Sequence, residues 1–240
     1  MKRRRPEQRE ECEAVGSIVS TRMEIALPEL GLPNSAKKIA AKIGRFATLL
    51  ALWGQTINLT SDPTDFDETT FHVMDSLAPA WLAATNLDSA LARSLKKEHR
   101  LMDVGSGAGF PGLILAAVTG IETVLLESRR KRASFLKVAA TTMGLPRVSI
   151  VQSRATPCNT PTGLDLVTAR AVGNHREFFE LAAAALKPGG IAMLYLSFGQ
   201  AIDAEAASAA GLIELPGATY EIYRGEDKQL RRLGFWLKES

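Results

Sequence analysis

The chain has 240 residues, 46% hydrophobic and 23% charged, with 29 basic against 26 acidic side chains and a net charge of +3. That texture excludes wholesale disorder and suits one ordinary domain, or one domain with an appendage. Two cysteines, Cys12 and Cys158, exclude a disulfide scaffold, a Cys-x-x-Cys zinc site and a cysteine-ligated iron–sulfur cluster, and three histidines leave little room for a histidine-rich metal centre.

The opening, MKRRRPEQREECEAV, is basic but has no apolar stretch behind it. This predicts no secretory signal and a cytoplasmic location. No apolar run approaches the roughly 18 residues of a membrane span. The Arg3–Arg5 run reads as a solvated tail, with an RNA contact as the alternative. Residues 1–34 are taken as a polar N-terminal extension, and residues 35–99 as a helical region packed on the core.

Within that region Asn34 or Ser35 caps a helix to about Ile57, with the apolar stripe Ile39, Ile43, Phe46, Leu49, Leu50 and Trp53 at spacings of three and four. Ser61-Asp62-Pro63 breaks it. A second helix covers Asp67 to Ala84 with Asp67 as cap, and a weaker third runs from Asp88 to Lys97.

From residue 100 to 240 short β-like runs alternate with helical ones, the signature of an α/β sheet domain. Strands are expected at 100–104, 121–126, 147–151, 164–169, 190–196, 211–222 and 229–238. Helices are expected at 111–119, 129–143, 174–186 and 201–210. Runs buried on both faces fit central parallel strands. The last two strands have no helix between them, so they pair as an antiparallel hairpin, unlike the end of a nicotinamide-binding fold.

The strongest chemical signal is Leu101-Met102-Asp103-Val104-Gly105-Ser106-Gly107-Ala108-Gly109-Phe110-Pro111-Gly112. A strand enters a glycine-rich turn, and a helix opens with Pro111 in its first turn. Glycines admit positive φ and let the backbone approach a ligand. The turn sits at the carboxyl edge of a strand, where open α/β sheets bind ligands. Gly107-x-Gly109-x-x-Gly112 fits the dinucleotide pattern, but that pattern alone is weak. Asp103 precedes the glycines, and Pro111 removes an amide that would face a pyrophosphate. The Asp-x-Gly-x-Gly-x-Gly pattern instead resembles motif I of class I S-adenosylmethionine (SAM) methyltransferases, whose ligand carries a sulfonium cation. A tight turn with no ligand is the plain alternative. Glu127 ends the second strand about 20 residues on, where an acid accepts bonds from ribose hydroxyls; SAM and NAD share that feature.

With the loop placed, further segments match one family in order: Trp53 with Asn58-Leu59-Thr60, His72-x-x-Asp75-Ser76-Leu77, the glycine loop, Leu125-Leu126-Glu127-Ser128, Lys131-Arg132-x-x-Phe135-Leu136, Val151-Gln152-Ser153-Arg154 and Ala169-Arg170-Ala171. Over about residues 46 to 200 the chain resembles the ribosomal RNA small-subunit methyltransferase G family, also called glucose-inhibited division protein B. The resemblance implies a class I SAM-dependent methyltransferase, Rossmann-like, with a mostly parallel seven-stranded sheet, a C-terminal antiparallel hairpin and an N-terminal helical extension. It implies SAM as cofactor with no metal, 16S rRNA or the small ribosomal subunit as partner, no obligate protein partner and no membrane. The reaction it implies is methylation of N7 of a guanosine. It places Gly105 and Phe110 in the SAM pocket, Ala155 and Thr156 beside the adenine, and Arg170 on the cofactor side. The chain departs from the family in two places. Thr156-Pro157 follows Arg154 where members often carry an acid, and Ser197-Phe198-Gly199 follows the fifth strand where they tend to have Lys-Gly.

No Ser–His–Asp set, paired-carboxylate site or metal cluster is apparent. Guanine N7 is already an acceptor, so its methylation needs no base. Arg154 and Arg170 have planar donors suited to phosphate or guanine O6, with ion pairs to Asp103, Glu127 or Asp165 as the alternative. Arg129, Arg130, Lys131 and Arg132 sit near a helix N-terminus, where the dipole disfavours cations. That placement suggests contact with RNA phosphate; a solvated basic face is the alternative. Asn58, His72 and Asp75 are expected to form a polar network pinning the helical region over the crevice. A methyltransferase with a non-RNA acceptor, a ribosome-binding relative without transfer and, opposed by the terminal hairpin, an NAD-dependent oxidoreductase are the competing readings.

Overall fold

The computed structural model describes residues 6–32, 35–86, 89–171 and 173–239. The Arg3–Arg5 run, Asn34 and Asp88 lie outside the described residues. Helices α1 (Pro6–Glu29), α2 (Ala36–Gly54), α3 (Phe66–Thr85) and α4 (Ala90–Ser94) precede the sheet. Then follow β1 (Arg100–Val104), α5 (Gly112–Thr119), β2 (Glu122–Leu126), α6 (Arg130–Met143), β3 (Val148–Val151) and β4 (Leu164–Arg170). The chain ends with α7 (His175–Ala185), β5 (Leu186–Ser197), α8 (Ala204–Ala209), β6 (Leu212–Arg224) and β7 (Asp227–Lys238).

The strand order is β3-β2-β1-β4-β5-β7-β6. The first five strands pair parallel. β7 slots antiparallel between β5 and β6, so the terminal hairpin expected from the sequence is present. The order reverses between β1 and β4, which opens a crevice at their carboxyl ends.

Side chains of the central strands alternate between two layers, as the period of two requires. Along β5, Ala192, Leu194 and Leu196 join Phe178, Phe179 and Trp236 under α7 and α8. Ile191, Met193 and Tyr195 face the other way, toward α3 and α4. A third cluster joins α1 and α2 to α5 and α6 through Phe46, Phe110 and Phe135.

Residues 1–34, read as a polar extension, contain α1. Its stripe Cys12, Val15, Val19, Met23 and Leu27 is buried although charged residues surround it in sequence. The helices touch backbone to backbone where two glycines meet. A Cβ on Gly16 would lie 2.6 Å from Gly44 O, and one on Gly44 would lie 2.7 Å from Gly16 O. Several element ends differ from expectation. α3 is capped by Asp65, not Asp67: Asp65 Oδ1 accepts from the Asp67 and Glu68 amides at 2.7 and 3.2 Å. Asp67 is thereby left to pair with Arg22 on α1 at 2.6 Å. α2 stops at Gly54 rather than Ile57, because the Thr56 and Ile57 amides both turn back to Trp53 O. Ser35 precedes α2 without a side-chain cap bond. β5 begins at Leu186, ahead of the Pro188-Gly189 turn, since Leu186 pairs with Leu164 before the register shifts. α8 is shorter than expected and starts after Asp203, whose Oδ1 accepts from the Ala206 amide at 2.9 Å.

Alanine in an exposed helix would raise propensity by up to about 1 kcal/mol. At Gly16 or Gly44 the new methyl meets backbone, and overpacking should dominate, with a net loss of about 1–3 kcal/mol. Urea unfolding midpoints of Gly16→Ala and Gly44→Ala measure this; unchanged midpoints would mean that α1 does not rest on α2 in solution.

Candidate SAM site at the carboxyl edge

The loop after β1 is held by short backbone bonds. The Gly105 and Ser106 amides donate to Leu126 O at 2.8 and 3.1 Å, and the Gly109 amide donates to Ser106 O at 2.7 Å. Gly105, Gly107 and Gly109 have φ of 70°, 55° and 94°, conformations an L side chain rarely adopts. Apart from Gly105 and its two chain neighbours, no atom of the described residues lies within 4 Å of where a Cβ on Gly105 would be, so this side of the loop is open. At Gly112 the reverse holds: a Cβ would lie 2.7 Å from Asp103 Oδ2. Glycine there lets α5 start against the carboxylate, and the Gly112 amide donates to Asp103 Oδ2 at 3.1 Å.

Asp103 is buried, and its Oδ1 has no hydrogen-bond partner among the described residues. Burial is the main reason its carboxyl is pushed up to about 6; the nearby Ser106 hydroxyl, the Gly112 amide and the Arg170 charge oppose that, while Glu127 adds to it. Glu127 is buried at the end of β2. Its Oε2 accepts from the Gly107 amide at 3.0 Å and its Oε1 from the Arg129 amide at 2.7 Å. Each oxygen keeps a further lone pair, enough for two ribose hydroxyls. Two buried acids and a proline at the helix start suit a cationic, phosphate-free ligand better than a pyrophosphate, so these residues fit SAM.

Ala155 and Val104 line one cavity of about 180 Å³ with Gly173, Asn174, Glu177, Phe178 and Leu181. Thr156 is exposed beside it, and its amide donates to Asn159 Oδ1 at 3.0 Å. The Phe110 ring is buried edge-on to Phe46, at 5.2 Å between centroids. The Arg170 guanidinium carbon lies 5.1 Å from the Phe110 ring centroid, within cation–π range.

Arg170 does not pair with Asp103, Glu127 or Asp165. Its Nη1 donates to Asp75 Oδ2 at 3.4 Å and meets His72 Nδ1 at 3.3 Å. Asp75 is fully buried and serves three partners from the sheet. Tyr220 Oη donates to its Oδ1 at 2.7 Å, and Arg231 reaches both oxygens through Nε at 3.2 Å and Nη2 at 3.4 Å. Burial, together with the Asp75 charge and hydrogen bond, holds the Tyr220 phenol well above its usual range, so it stays a donor. Burial and then the Arg170 charge push His72 down to about 4, against the pull of Glu68 and Asp75. The neutral ring therefore accepts from Arg170 at Nδ1 and carries its proton on Nε2, which faces Glu68 Oε1 at 3.5 Å. Glu68 also accepts from the Ser61 and Asp62 amides, the Ser61 hydroxyl and Arg224 Nη2.

His72 and Asp75 thus share one network, as the sequence suggested, but Asn58 stands apart from it. Its carbonyl receives Arg132 Nε at 3.1 Å and Nη2 at 2.8 Å. Arg132 tethers the segment after α2 to the first turn of α6. Arg129, Arg130 and Lys131 are exposed at the start of α6, and Arg154 is exposed after β3 with no side-chain bond or ion pair among the described residues. Sequence reasoning missed Tyr220, Arg231 and Glu68. The first two lie 145 and 156 positions from Asp75, and no local pattern links them.

The switch-point crevice, the glycine loop closed by an acid on the next strand and the antiparallel last strand define a class I SAM-dependent methyltransferase fold. Solved structures agree on the fold alone. A putative sarcosine dimethylglycine methyltransferase from Galdieria sulphuraria superposes with a TM-score of 0.54 at 13% identity, covering 72% of this chain and 88% of that one. A precorrin-6y C5,15-methyltransferase from Geobacter metallireducens gives 0.52 at 14%, covering 76% and 91%. The profile described as GidB, rRNA small subunit methyltransferase G, matches residues 39–215. A ribosomal RNA small subunit methyltransferase G of Polaromonas naphthalenivorans is 34% identical over 71% of this chain and 75% of its own length. One of the same name from Aromatoleum aromaticum is 35% identical over 70% and 76%. The chain belongs to the rRNA small subunit methyltransferase G family.

Two outcomes test the site. Asp75→Asn leaves two half-buried arginines without their counter-charge and should cost about 3 kcal/mol in urea unfolding; a loss below 1 kcal/mol would show that the network does not hold α3 to the hairpin. For Asp103 the folded carboxyl, near 6, lies above the ordinary 3.8. Its contribution is complete below pH 3.8 and is lost as pH rises through about 6. Between pH 7 and pH 4 the stability difference between wild type and Asp103→Asn should move toward wild type by up to about 3 kcal/mol. A difference independent of pH would contradict the burial argument.

Proposed function

We propose that this protein transfers the methyl group of SAM to N7 of a guanosine in 16S rRNA, with the small ribosomal subunit or its RNA as partner and the cytoplasm as its compartment. The observation that carries the reading is that Glu127, at the end of β2, accepts from the Gly107 amide of the loop after β1, while Arg170 ends the neighbouring parallel strand β4 at the same edge of the sheet, all within the segment that matches the family.

SAM, when bound, supplies a methyl group on a sulfonium. The loop of Gly105 and Gly107 would cradle it, Glu127 would hold its ribose hydroxyls, and Ala155 with Thr156 would border its adenine. Residues 100–240 form the SAM-binding core in this reading, while residues 35–99 bring His72 and Asp75 against it. Guanine N7 faces the major-groove edge with a free lone pair, so no proton must leave before attack. Catalysis can then rest on orientation, which is worth up to roughly 7–11 kcal/mol. Arg170, fixed by Asp75, His72 and the Phe110 ring, presents donors to guanine O6 or a phosphate, and exposed Arg154 does the same from the β3 side. Arg129, Arg130 and Lys131 offer charge to the RNA backbone. Arg132 contributes mainly as a tether, given its two bonds to Asn58.

The test is methyl transfer from labelled SAM to small subunits and 16S rRNA taken from a strain lacking this protein, with the modified nucleotide mapped. The expected result is label on one guanine N7, abolished in Arg170→Ala and weakened in Arg154→Ala with little change in SAM affinity. SAM binding without label on RNA would overturn the acceptor assignment, and failure to bind SAM would overturn the site.

A further inference from the structure

We propose that Phe198 is a stacking platform for an unpaired nucleobase of the acceptor RNA. The inference rests on the reading of the acceptor as RNA and assigns a recognition role to a residue where this chain departs from its family. β1, β2, β3, β4 and β5 run parallel, so their carboxyl ends share one edge. The glycine loop, Glu127 and Ala155 follow β1, β2 and β3. The acceptor is therefore left the β4–β5 side, where Arg170 ends β4. Tyr195 is the β5 partner of Arg170, and Phe198 lies three residues beyond it, past the rim of the sheet on that side.

Phe198 is 61% exposed, so it adds little to the core. Its backbone is nevertheless tightly set. The Gln200 amide donates to Ser197 O at 3.1 Å, closing a four-residue turn with Gly199 at φ 78° in its third position. The Ser197 amide donates to Gln200 Oε1 at 3.1 Å. Two arginines of β7 brace the turn: Arg231 Nη1 donates to Ser197 Oγ at 3.2 Å and Arg232 Nη2 to Gln200 O at 3.3 Å. Arg231 is also a ligand of Asp75, so the turn and Arg170 hang on the same carboxylate. A hydrogen-bonded turn that keeps an aromatic residue exposed at the sheet edge where Arg170 ends β4 matches how proteins read unpaired RNA: a ring takes the face of a base while arginines take phosphate or base edges.

Steady-state methyl transfer to the same subunits and rRNA, with SAM affinity measured separately, tests the proposal. Phe198→Ala should raise KM for RNA roughly five- to a hundredfold, the range of base–aromatic stacking, with SAM affinity unchanged. Phe198→Tyr and Phe198→Trp should retain wild-type KM. Phe198→Leu, apolar but without a π-face, should behave as Phe198→Ala. Fluorescence of Phe198→Trp should be quenched by a 16S rRNA fragment beyond the quenching seen in the parent protein. An unchanged KM in Phe198→Ala, or full retention in Phe198→Leu, overturns stacking while leaving the RNA reading in place. If wild type transfers no methyl to RNA, the RNA reading fails and the proposal falls with it.

Discussion

A single buried carboxylate organises the molecule. Asp75 sits on a helix that precedes the sheet domain, yet its ligands come from β4, β6 and β7. Taking a carboxylate out of water is costly unless opposite charge and donors surround it. Two arginines and a phenol do so here, and each is drawn from a different strand. The cost of breaking this arrangement locks α3 over the crevice and fixes the hairpin against α3. The same bonds set the direction of Arg170, so a stability device and the cationic wall of the site are one structure.

The glycine loop shows the same economy. Asp103 anchors the start of α5 through the Gly112 amide, and Glu127 anchors the loop through the Gly107 amide. Both acids thus shape the turn, and each keeps lone pairs beyond these bonds. Their local negative field is balanced across the crevice by Arg170. A site with acids at one wall and a guanidinium at the other suits a ligand whose positive charge lies near the loop and an acceptor that carries negative charge. Methyl transfer from a sulfonium to a nucleic acid has that distribution of charge.

Much of this was legible along the chain. The seven strands were readable because buried strands are short β-branched and leucine-rich runs, and the loop because its glycines and acid are contiguous. Glu127 drew attention as an acid at the end of a strand about 20 residues past the loop, and Arg170 through the family resemblance, with both placed at strand ends that share one edge of a parallel sheet. Errors gathered where local signals compete. Asp65 and Asp67 are equally good caps by type, and only the loop geometry before α3 selects Asp65. The α1 stripe of Cys12, Val15, Val19, Met23 and Leu27 has helical spacing, but the charged residues between these positions mask it, and its glycine at Gly16 reads as a breaker until Gly44 is seen against it.

The sequence by itself determined the alternation of strands and helices, the class of ligand loop and the set of strand-end residues available to a site. These depend on contacts within a few residues or on the regular geometry of a parallel sheet. Only the tertiary structure decided which charges meet. Arg170 was available to three acids by sequence and chose a fourth, Asp75, because the hairpin delivers Tyr220 and Arg231 to the same buried carboxylate. Likewise the sequence marks Phe198 only as a departure from the family, and its exposure on a braced turn appears only when β7 lies beside β5. Pairings across about 150 positions are set by packing and by the need to satisfy buried charge, and no local pattern in a single sequence encodes them.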